Sequence, residues 1–394
     1  MQRRITESTA GRMERVAPRA LKLFAGPSEA LEEAAGGGQQ ASRNAGPPNA
    51  NDAAAIATQL KRAVPAGRAA VAGRDAEREA DLIAQQLVAR ANEVLSALQG
   101  GAPVGSLSAE GISSLEAVLR VRGRPALNVE GDSIEPIDGQ KHPGSEFWIE
   151  FRNQHEDDLV TVASATGAVM VKDRMGLQPP WVQGTAWLIK PNLVMTNRHV
   201  LFPPLGGMQL ARRMPGATTA ARFKADLEIT IDFAFDDRPV AKPLSCPALE
   251  VVYVSERADP IDVALIRIGD PTDGAQKRAA PLVLANTEGD YSYIYVVGHP
   301  GRMAMVPENV LAVFGTPNER KRVSFGEPME EGAPPPNEIL YDASTIGGFS
   351  GGCVLPFLKN EVIGLHYYGD PLTGNRAFTA PALRAHAVAK FFEG

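Results

Sequence analysis

The sequence contains only two cysteines, Cys246 and Cys353, among its 394 residues. Small secreted domains that depend on disulfides for their stability are rich in cysteine, so a disulfide framework is excluded as the basis of this fold. The sequence alone does not exclude a single disulfide between these two cysteines. The low cysteine content favours reduced thiols and an intracellular protein.

The chain also lacks a long hydrophobic run and an excess of positive charge. No stretch approaches the roughly 18 consecutive apolar residues that a membrane span requires. The basic segment over residues 1–24 is not followed by the apolar run of a secretory signal. A formal net charge of −6 at pH 7 argues against nucleic acid as the main partner. We therefore expect a cytoplasmic protein that binds neither nucleic acid nor a membrane.

The N-terminal part of the chain divides into a polar arm and a helical segment. Residues 1–72 contain few large apolar side chains beyond residue 26, and we expect a flexible arm and linker with one short helix over 51–63. Residues 73–122 carry apolar side chains at helical spacing, which predicts helices over 75–98 and 106–121. They form either a packing appendage of the next domain or a regulatory module that binds a protein partner, and both alternatives stay open.

The rest of the chain changes from a connecting segment to a β-rich region. Residues 123–166 are expected to contain a short strand at 126–129 and a bridging helix over 147–162. Residues 167–394 contain about a dozen short strands, which favours a barrel or sandwich pair. The expected strands are 168–171, 185–189, 193–196, 227–235, 249–254, 263–268, 291–297, 310–314, 322–325, 354–357 and 361–366. A C-terminal helix is expected over 381–392, and 203–225 and 326–336 are interpreted as surface excursions.

Three polar residues stand at strand ends in this β-rich region. His199 follows the apolar strand that ends at Thr196, and Asp262 opens a second hydrophobic strand. Ser350 lies in a turn with glycines on both sides, which permits backbone conformations that side chains forbid. Each residue alone could be structural. Together they have the composition of a Ser-His-Asp triad, in which the histidine takes the serine proton and the carboxylate orients the imidazole.

These motifs resemble the trypsin-like serine peptidases of the chymotrypsin fold. The resemblance is carried by 184–200, by 262–266 and by 348–352. It implies a mainly β protein with two six-stranded antiparallel barrels, over about 167–280 and 281–394, that follow the helical N-terminal region.

The resemblance also assigns roles to residues of this chain. His199 is implied as the general base, Asp262 as its orienting acid and Ser350 as the nucleophile. The N–H groups of Gly348 and Ser350 are implied as the oxyanion hole. No cofactor and no metal are implied, and the substrate is a protein or peptide. Because Phe349 stands before the nucleophile, where the digestive branch has an aspartate, activation by a freed N-terminal amine is excluded.

A finer resemblance is to the glutamyl endopeptidase branch, through 344–351 and the strand 362–366. It implies that Thr345 and His366 bind an acidic side chain in the primary pocket, with Ser344 and Tyr367 beside them. Ser344 stands where relatives that cleave after basic residues carry an aspartate. The alternative is that His366 is a buried barrel histidine and the pocket prefers apolar residues. The long N-terminal region does not fit the free amine that secreted members place in this pocket.

Other functions remain to be weighed against a peptidase. A catalytically latent protein that acts as a scaffold through its helical N-terminus is the main alternative, although an intact triad argues against it. A quality-control protease of the high-temperature-requirement type is disfavoured, because no signal peptide is found and the residues after His366 are too few for a PDZ domain. Cytosolic trypsin-like peptidases with helical adaptors suggest, by analogy, a bacterial-type effector that a partner switches on.

Overall fold

The computed structural model describes residues 47–63, 66–139, 142, 145–204, 207–238, 244–272, 278–287, 289, 291–302, 308–315, 318–329, 336–370 and 374–393. Most of the predicted arm over 1–72 therefore lies outside the described residues.

Three helices form the described N-terminal region, close to the positions that the apolar spacing predicts. They are α1 (Ala50–Ala63), α2 (Ala66–Gln99) and α3 (Ala109–Gly123). Ser108 caps α3, because its hydroxyl oxygen accepts the N–H of Gly111 at 3.0 Å. All three helices pack against one another. Their buried apolar side chains belong to the same continuous core as those of the β-rich region. The separation of 73–122 as a domain of its own stays a prediction.

The connecting segment contains one strand and two short helices. They are β1 (Ala126–Asn128), α4 (Glu146–Gln154) and α5 (Glu156–Ser164). The single bridging helix predicted over 147–162 is therefore divided at His155, which caps the end of α4 and the start of α5.

The first sheet closes into a six-stranded antiparallel barrel. Its order is β8-β7-β2-β3-β4-β9, and β9 pairs again with β8. The strands are β2 (Thr166–Asp173), β3 (Trp181–Lys190), β4 (Leu193–Thr196), β7 (Leu227–Asp232), β8 (Ser245–Val254) and β9 (Ala264–Ile268). A one-turn helix, α6 (Arg198–Leu201), follows β4 and carries His199.

The segment 203–225 is more than the surface excursion that the sequence suggests. It contains a hairpin of β5 (Ala211–Met214) and β6 (Ala217–Phe223). The hairpin extends the first sheet, because Ala221 of β6 pairs with Val251 of β8.

The second sheet is an open half-barrel of seven strands in the order β1-β12-β11-β14-β16-β17-β13. Its further strands are β11 (Ile294–Gly298), β12 (Arg322–Gly326), β13 (Glu338–Tyr341), β14 (Cys353–Pro356), β16 (Gly364–Asp370) and β17 (Gly374–Thr379). A two-stranded sheet of β10 (Val283–Leu284) and β15 (Glu361–Val362) completes the described β-structure. The mainly β, chymotrypsin-like fold with an N-terminal helical region is thus confirmed.

One expected strand is a helix. The run predicted as a strand over 310–314 belongs to α7 (Glu308–Phe314), which packs against α1 and α3. An apolar run of five residues has no alternation, so its periodicity does not separate a buried strand from a buried helix. The C-terminal helix predicted over 381–392 is also shorter, as α8 (Ala380–Ala385) and a 3₁₀ turn (Ala389–Phe391).

Neither cysteine takes part in a disulfide, and both are buried. Among the described residues, no helix combines the length and the hydrophobicity needed to span a bilayer.

Candidate active site

His199 and Asp262 are in direct contact at the end of the first barrel. Nδ1 of His199 lies 2.9 Å from one carboxylate oxygen of Asp262, and the other oxygen accepts the backbone N–H of His199 at 3.0 Å. Asn197 donates its side-chain amide to the backbone carbonyl of Asp262 at 2.9 Å, which fixes the loop between β4 and α6. With Nδ1–H donated to the carboxylate, Nε2 is the nitrogen that can accept a proton.

The Asp262 carboxylate is held in its charged form. The residue is 3% exposed. Burial alone would raise its pKa, but the charge and hydrogen bonds of His199 and the charge of Arg198 outweigh burial and lower the pKa below its usual value. Arg198 lies 4.0 Å from the carboxylate and is anchored by the Ser255 hydroxyl at 3.0 Å. The sequence motif contained Arg198, but its role depends on folding and was not predicted.

The turn that carries Ser350 is fastened to the first barrel through Thr185 of β3. The Thr185 N–H donates to the Ser350 carbonyl, and its hydroxyl donates to the Gly348 carbonyl, both at 2.8 Å. Thr196, three residues before His199, donates its hydroxyl to the Thr185 carbonyl at 2.7 Å. Thr185 therefore connects the histidine loop to the serine turn, a role that sequence reasoning missed.

Gly351 makes the close approach of the two sheets possible. Its φ is +89°, and a Cβ there would lie 2.0 Å from the Thr185 carbonyl oxygen and 2.4 Å from Oγ1 of Thr196. Only glycine fits this position without displacing the barrel.

Within the described part of the chain, no hydrogen bond joins the Ser350 hydroxyl to His199. Gly184 lies close to the Ser350 turn, because a Cβ there would lie 2.7 Å from the Val200 side chain and 3.2 Å from the Ser350 carbonyl oxygen. The hydrogen bond between a serine nucleophile and its histidine base is often long in the absence of substrate and tightens on binding. The structure thus pairs His199 with Asp262 and brings the Ser350 turn beside them.

The turn before Ser350 orients one peptide group for the predicted oxyanion hole. The Gly301 N–H donates to the Gly347 carbonyl at 2.6 Å. In a trans peptide the C=O and the following N–H point in opposite directions, so the N–H of Gly348 points away from Gly301. Gly348 has a φ of +102°, and a Cβ there would lie 2.0 Å from the Gly301 nitrogen. The glycine is thus required at this position.

The predicted pocket residues Ser344 and Thr345 are both buried and both hydrogen-bonded. The Ser344 hydroxyl donates to the Arg124 carbonyl at 2.7 Å. The Thr345 hydroxyl donates to the side-chain oxygen of Asn375 at 2.5 Å, and the Asn375 amide donates to the Ala343 carbonyl at 2.6 Å. Because its hydrogen is engaged, Thr345 offers lone pairs rather than a donor to a ligand. Asn375 was not identified from the sequence.

His366 is buried and paired with a tyrosine. Its Nδ1 lies 2.5 Å from the Tyr341 hydroxyl, and 2% of the residue is exposed. Burial, with a smaller effect of the His199 charge, lowers the pKa of His366 to about 3. Burial raises the pKa of Tyr341 well above its usual value, so its hydroxyl keeps its proton and can donate to Nδ1. In that arrangement the hydrogen of the neutral imidazole is on Nε2, which has no hydrogen-bond partner among the described residues.

Tyr367, the fourth predicted pocket residue, is directed elsewhere. Its ring stacks on Phe378 with centroids 4.2 Å apart. Burial and the neighbouring Glu338 raise the pKa of Tyr367, whereas Arg376 lowers it. Arg376 also forms an ion pair with Glu338 at 3.3 Å. These contacts hold the Tyr367 side chain on the sheet rather than next to His366.

His299 has the contacts of a structural residue. It is fully buried, its backbone N–H donates to the Thr185 hydroxyl at 2.9 Å, and its ring stacks on Phe235. Among the described residues, no three potential metal ligands form a cluster.

Residues 184–365 match the family model of the trypsin-like peptidase domain. The matched segment contains His199, Asp262 and Ser350. No curated protein matches the chain. The match does not include the N-terminal helices, and the glutamyl endopeptidase branch stays a prediction.

Similar solved structures include Deg5, a serine endoprotease from Yersinia pestis and the Rv3671c protease. Deg5 is 16% identical with a TM-score of 0.39, over 62% of this chain and 95% of that chain. The serine endoprotease from Yersinia pestis is 16% identical with a TM-score of 0.37, and the similarity covers 60% of this chain and 65% of that chain. The inactive form of the Rv3671c protease is 16% identical with a TM-score of 0.34, and the similarity covers 59% of this chain and 91% of that chain. Since all three scores are below 0.5, the fold assignment depends on the matched segment and on the strand pairing.

Proposed function

We propose that the protein is a serine endopeptidase that hydrolyses protein substrates through Ser350, His199 and Asp262. The observation that carries this proposal is the His199–Asp262 pair beside the Ser350 turn, within a segment that matches the trypsin-like peptidase domain. No cofactor or metal is needed for this chemistry.

In the proposed reaction, Nε2 of His199 takes the proton of the Ser350 hydroxyl as Oγ attacks the substrate carbonyl carbon. The N–H groups of Gly348 and Ser350 stabilise the oxyanion of the tetrahedral intermediate. His199 then gives its proton to the leaving amine, and the C–N bond breaks to leave an acyl-enzyme. Water, activated by the same histidine, releases the acid. Asp262 stays ionised and stabilises the imidazolium in both halves.

We further propose that the enzyme cleaves after Glu or Asp. His366 supports this, because a neutral imidazole with Nδ1 satisfied by Tyr341 has an N–H on Nε2 that can donate to a carboxylate. The pocket residue Ser344 carries no charge and donates its hydroxyl to the Arg124 carbonyl, so it does not attract a basic side chain. Thr345 contributes by holding Asn375 in place rather than by donating to the substrate.

The specificity is tested with five peptides that differ only in the residue before the scissile bond: Glu, Asp, Gln, Leu and Lys. A hydrogen bond to a charged group contributes about 1.5–3 kcal/mol, so kcat/KM for Glu is expected to exceed that for isosteric Gln by about 10-fold to 100-fold. The Tyr341→Phe variant keeps the ring but removes the partner of Nδ1, and it is expected to lower the Glu-to-Gln ratio. Equal rates for Glu and Gln, or a preference for Leu, would contradict the acidic preference while leaving the peptidase intact.

A catalytically latent scaffold is the second candidate, favoured by the absence of a Ser350–His199 hydrogen bond among the described residues. A fluorophosphonate probe separates the two, since it modifies only an activated serine. Labelling of the wild type at Ser350 supports a peptidase. A protein that is neither labelled nor active on any of the five peptides would instead support the scaffold.

The N-terminal helices are proposed as the regulatory or partner-binding part of the enzyme. Their packing against α7 of the peptidase domain supports this role. A cytoplasmic location also stays part of the proposal.

A further inference from the structure

We propose that Phe314 of α7 and Gly301 are positioning residues for the Ser350 turn, and that α7 couples the turn to the N-terminal helices. This inference depends on the proposed role of Ser350 as the nucleophile. It assigns a function to the helix that the sequence predicted as a strand.

Phe349, the residue before the nucleophile, is held by aromatic packing instead of a charge pair. It is fully buried, and its ring covers Gly298, where a Cβ would lie 2.6 Å from the ring. The Phe314 ring meets it edge-on, with centroids 6.3 Å apart. Edge-to-face aromatic pairs contribute about 0.5–1.5 kcal/mol beyond the burial of their area. Phe314 thus limits the movement of the backbone at Phe349 and Ser350.

Gly301 holds the other side of the same turn. Its N–H donates to the Gly347 carbonyl at 2.6 Å, which directs the Gly348 N–H away from Gly301. If this bond were lost, the Gly347–Gly348 peptide could rotate and remove one donor from the oxyanion hole. Gly301 and Phe314 both belong to the connection between β11 and β12, so one segment holds the turn at two points.

The N-terminal helices hold this segment in turn. Helix α7 packs against both α1 and α3, and its residues Ala312 and Val313 are buried. Gly315 directly follows α7 and has a φ of +63°. It lies next to Gln59 of α1, because a Cβ at Gly315 would lie 2.8 Å from the Gln59 side-chain oxygen. A change in the packing of α1 therefore reaches α7, and Phe314 transmits it to Phe349.

The coupling predicts that weakening these contacts lowers turnover rather than substrate binding. In Phe314→Ala the turn loses its edge contact, and kcat is expected to fall about 10-fold to 100-fold with KM nearly unchanged, because small misplacements of reacting groups have effects of this size. Amide exchange at 347–351, measured by mass spectrometry, is expected to accelerate. Phe314→Leu keeps most of the volume and is expected to recover part of kcat.

Two controls separate positioning from general stability. Phe357→Ala removes an equally buried ring that packs on Trp148 and Phe325, away from the turn. Gln59→Arg disturbs α1 beneath Gly315 without touching the site, and Gln85→Arg makes the same change on the exposed face of α2. The proposal requires low kcat in Phe314→Ala and Gln59→Arg, and near wild-type kcat in Gln85→Arg and in folded Phe357→Ala.

These experiments distinguish an error in the proposed coupling from an error in the proposed peptidase function. If the wild type turns over peptides while folded Phe314→Ala and Gln59→Arg keep wild-type kcat and exchange, the coupling is wrong. Equal losses of kcat in Phe357→Ala and Phe314→Ala at a temperature where both are folded would also overturn it. If Phe314→Ala does not fold, Phe314→Leu and Gln59→Arg decide the matter. A wild type without activity or labelling refutes the peptidase itself, whereas the exchange comparison still tests the packing.

Discussion

At the scale of single residues, the site depends on a buried carboxylate that is charged and fully hydrogen-bonded. Both oxygens of Asp262 contact His199, one through the ring and one through the backbone. An uncompensated buried charge would be costly, and the opposite charges around Asp262 offset that cost. The carboxylate therefore fixes the position of the His199 imidazole.

Replacement of this carboxylate by an amide tests its role. Asp262→Asn keeps the size of the side chain but favours the wrong imidazole tautomer, and kcat is expected to fall about 10⁴-fold. Steady-state hydrolysis of the Glu peptide measures the loss. The matched control is Asp259→Asn, because Asp259 pairs with a different histidine, His386, at 2.8 Å. A loss of less than tenfold in Asp262→Asn would contradict the assigned role.

At the scale of elements, the two sheets are joined by a buried lysine. Lys321 precedes β12, and its Nζ donates to the carbonyls of Ala163 at 2.7 Å and Phe233 at 2.6 Å. The first carbonyl belongs to α5 and the second follows β7, so the contact ties the half-barrel to the closed barrel. Burial lowers the pKa of Lys321 from 10.5 to about 8, although Asp236 and Asp232 oppose this.

This lysine makes the joint between the sheets depend on pH. Between about pH 8 and pH 10.5 the unfolded chain binds the Lys321 proton more strongly than the folded chain does. The contribution of Lys321 to the free energy of unfolding therefore increases as the pH rises through that window. Urea unfolding at pH 7.5 and pH 10 is expected to show a growing advantage of wild type over Lys321→Met. A difference that is constant or decreases with pH would contradict the lowered pKa.

The elements show where sequence reasoning succeeds and where it stops. Strands such as β4 and β9 were predicted because short apolar runs ended at turn residues. Two members of the proposed triad, His199 and Asp262, were identified from polar residues beside these strands. The helix α7 was missed because a short apolar run carries no period, and its state is decided by packing against α1. Tyr341 and Asn375 were missed because their importance arises only from tertiary contacts with His366 and Thr345.

At the scale of the whole molecule, the N-terminal helices and the β-rich region share one core. Asp52 of α1 forms a buried ion pair with Arg122 of α3. Two residues further along the chain, Arg124 binds Asp342, the residue directly after β13, through two hydrogen bonds at 2.6 Å and 2.7 Å. A chain of buried contacts thus extends from the first described helix to the wall of the predicted pocket.

Breaking the first of these contacts tests the shared core. Asp52→Ala removes the carboxylate that pairs with the buried Arg122 guanidinium, and the free energy of unfolding is expected to fall by about 3–5 kcal/mol. Asp81→Ala, which removes an exposed partner of Lys61, is the control and is expected to cost less than about 1 kcal/mol. Circular dichroism and tryptophan fluorescence should report one common urea transition. A separate early transition in the wild type would contradict a single cooperative core.

The most direct measurement of the central claim is digestion of a peptide library by the full-length protein and by Ser350→Ala, with the products identified by mass spectrometry. Loss of the nucleophile is expected to lower turnover about 10⁶-fold, so every cut made by the wild type should disappear in the variant. Cuts that follow Glu or Asp would also support the roles of His366 and Tyr341. Cleavage that persists in purified Ser350→Ala would contradict the assignment of Ser350 as the nucleophile.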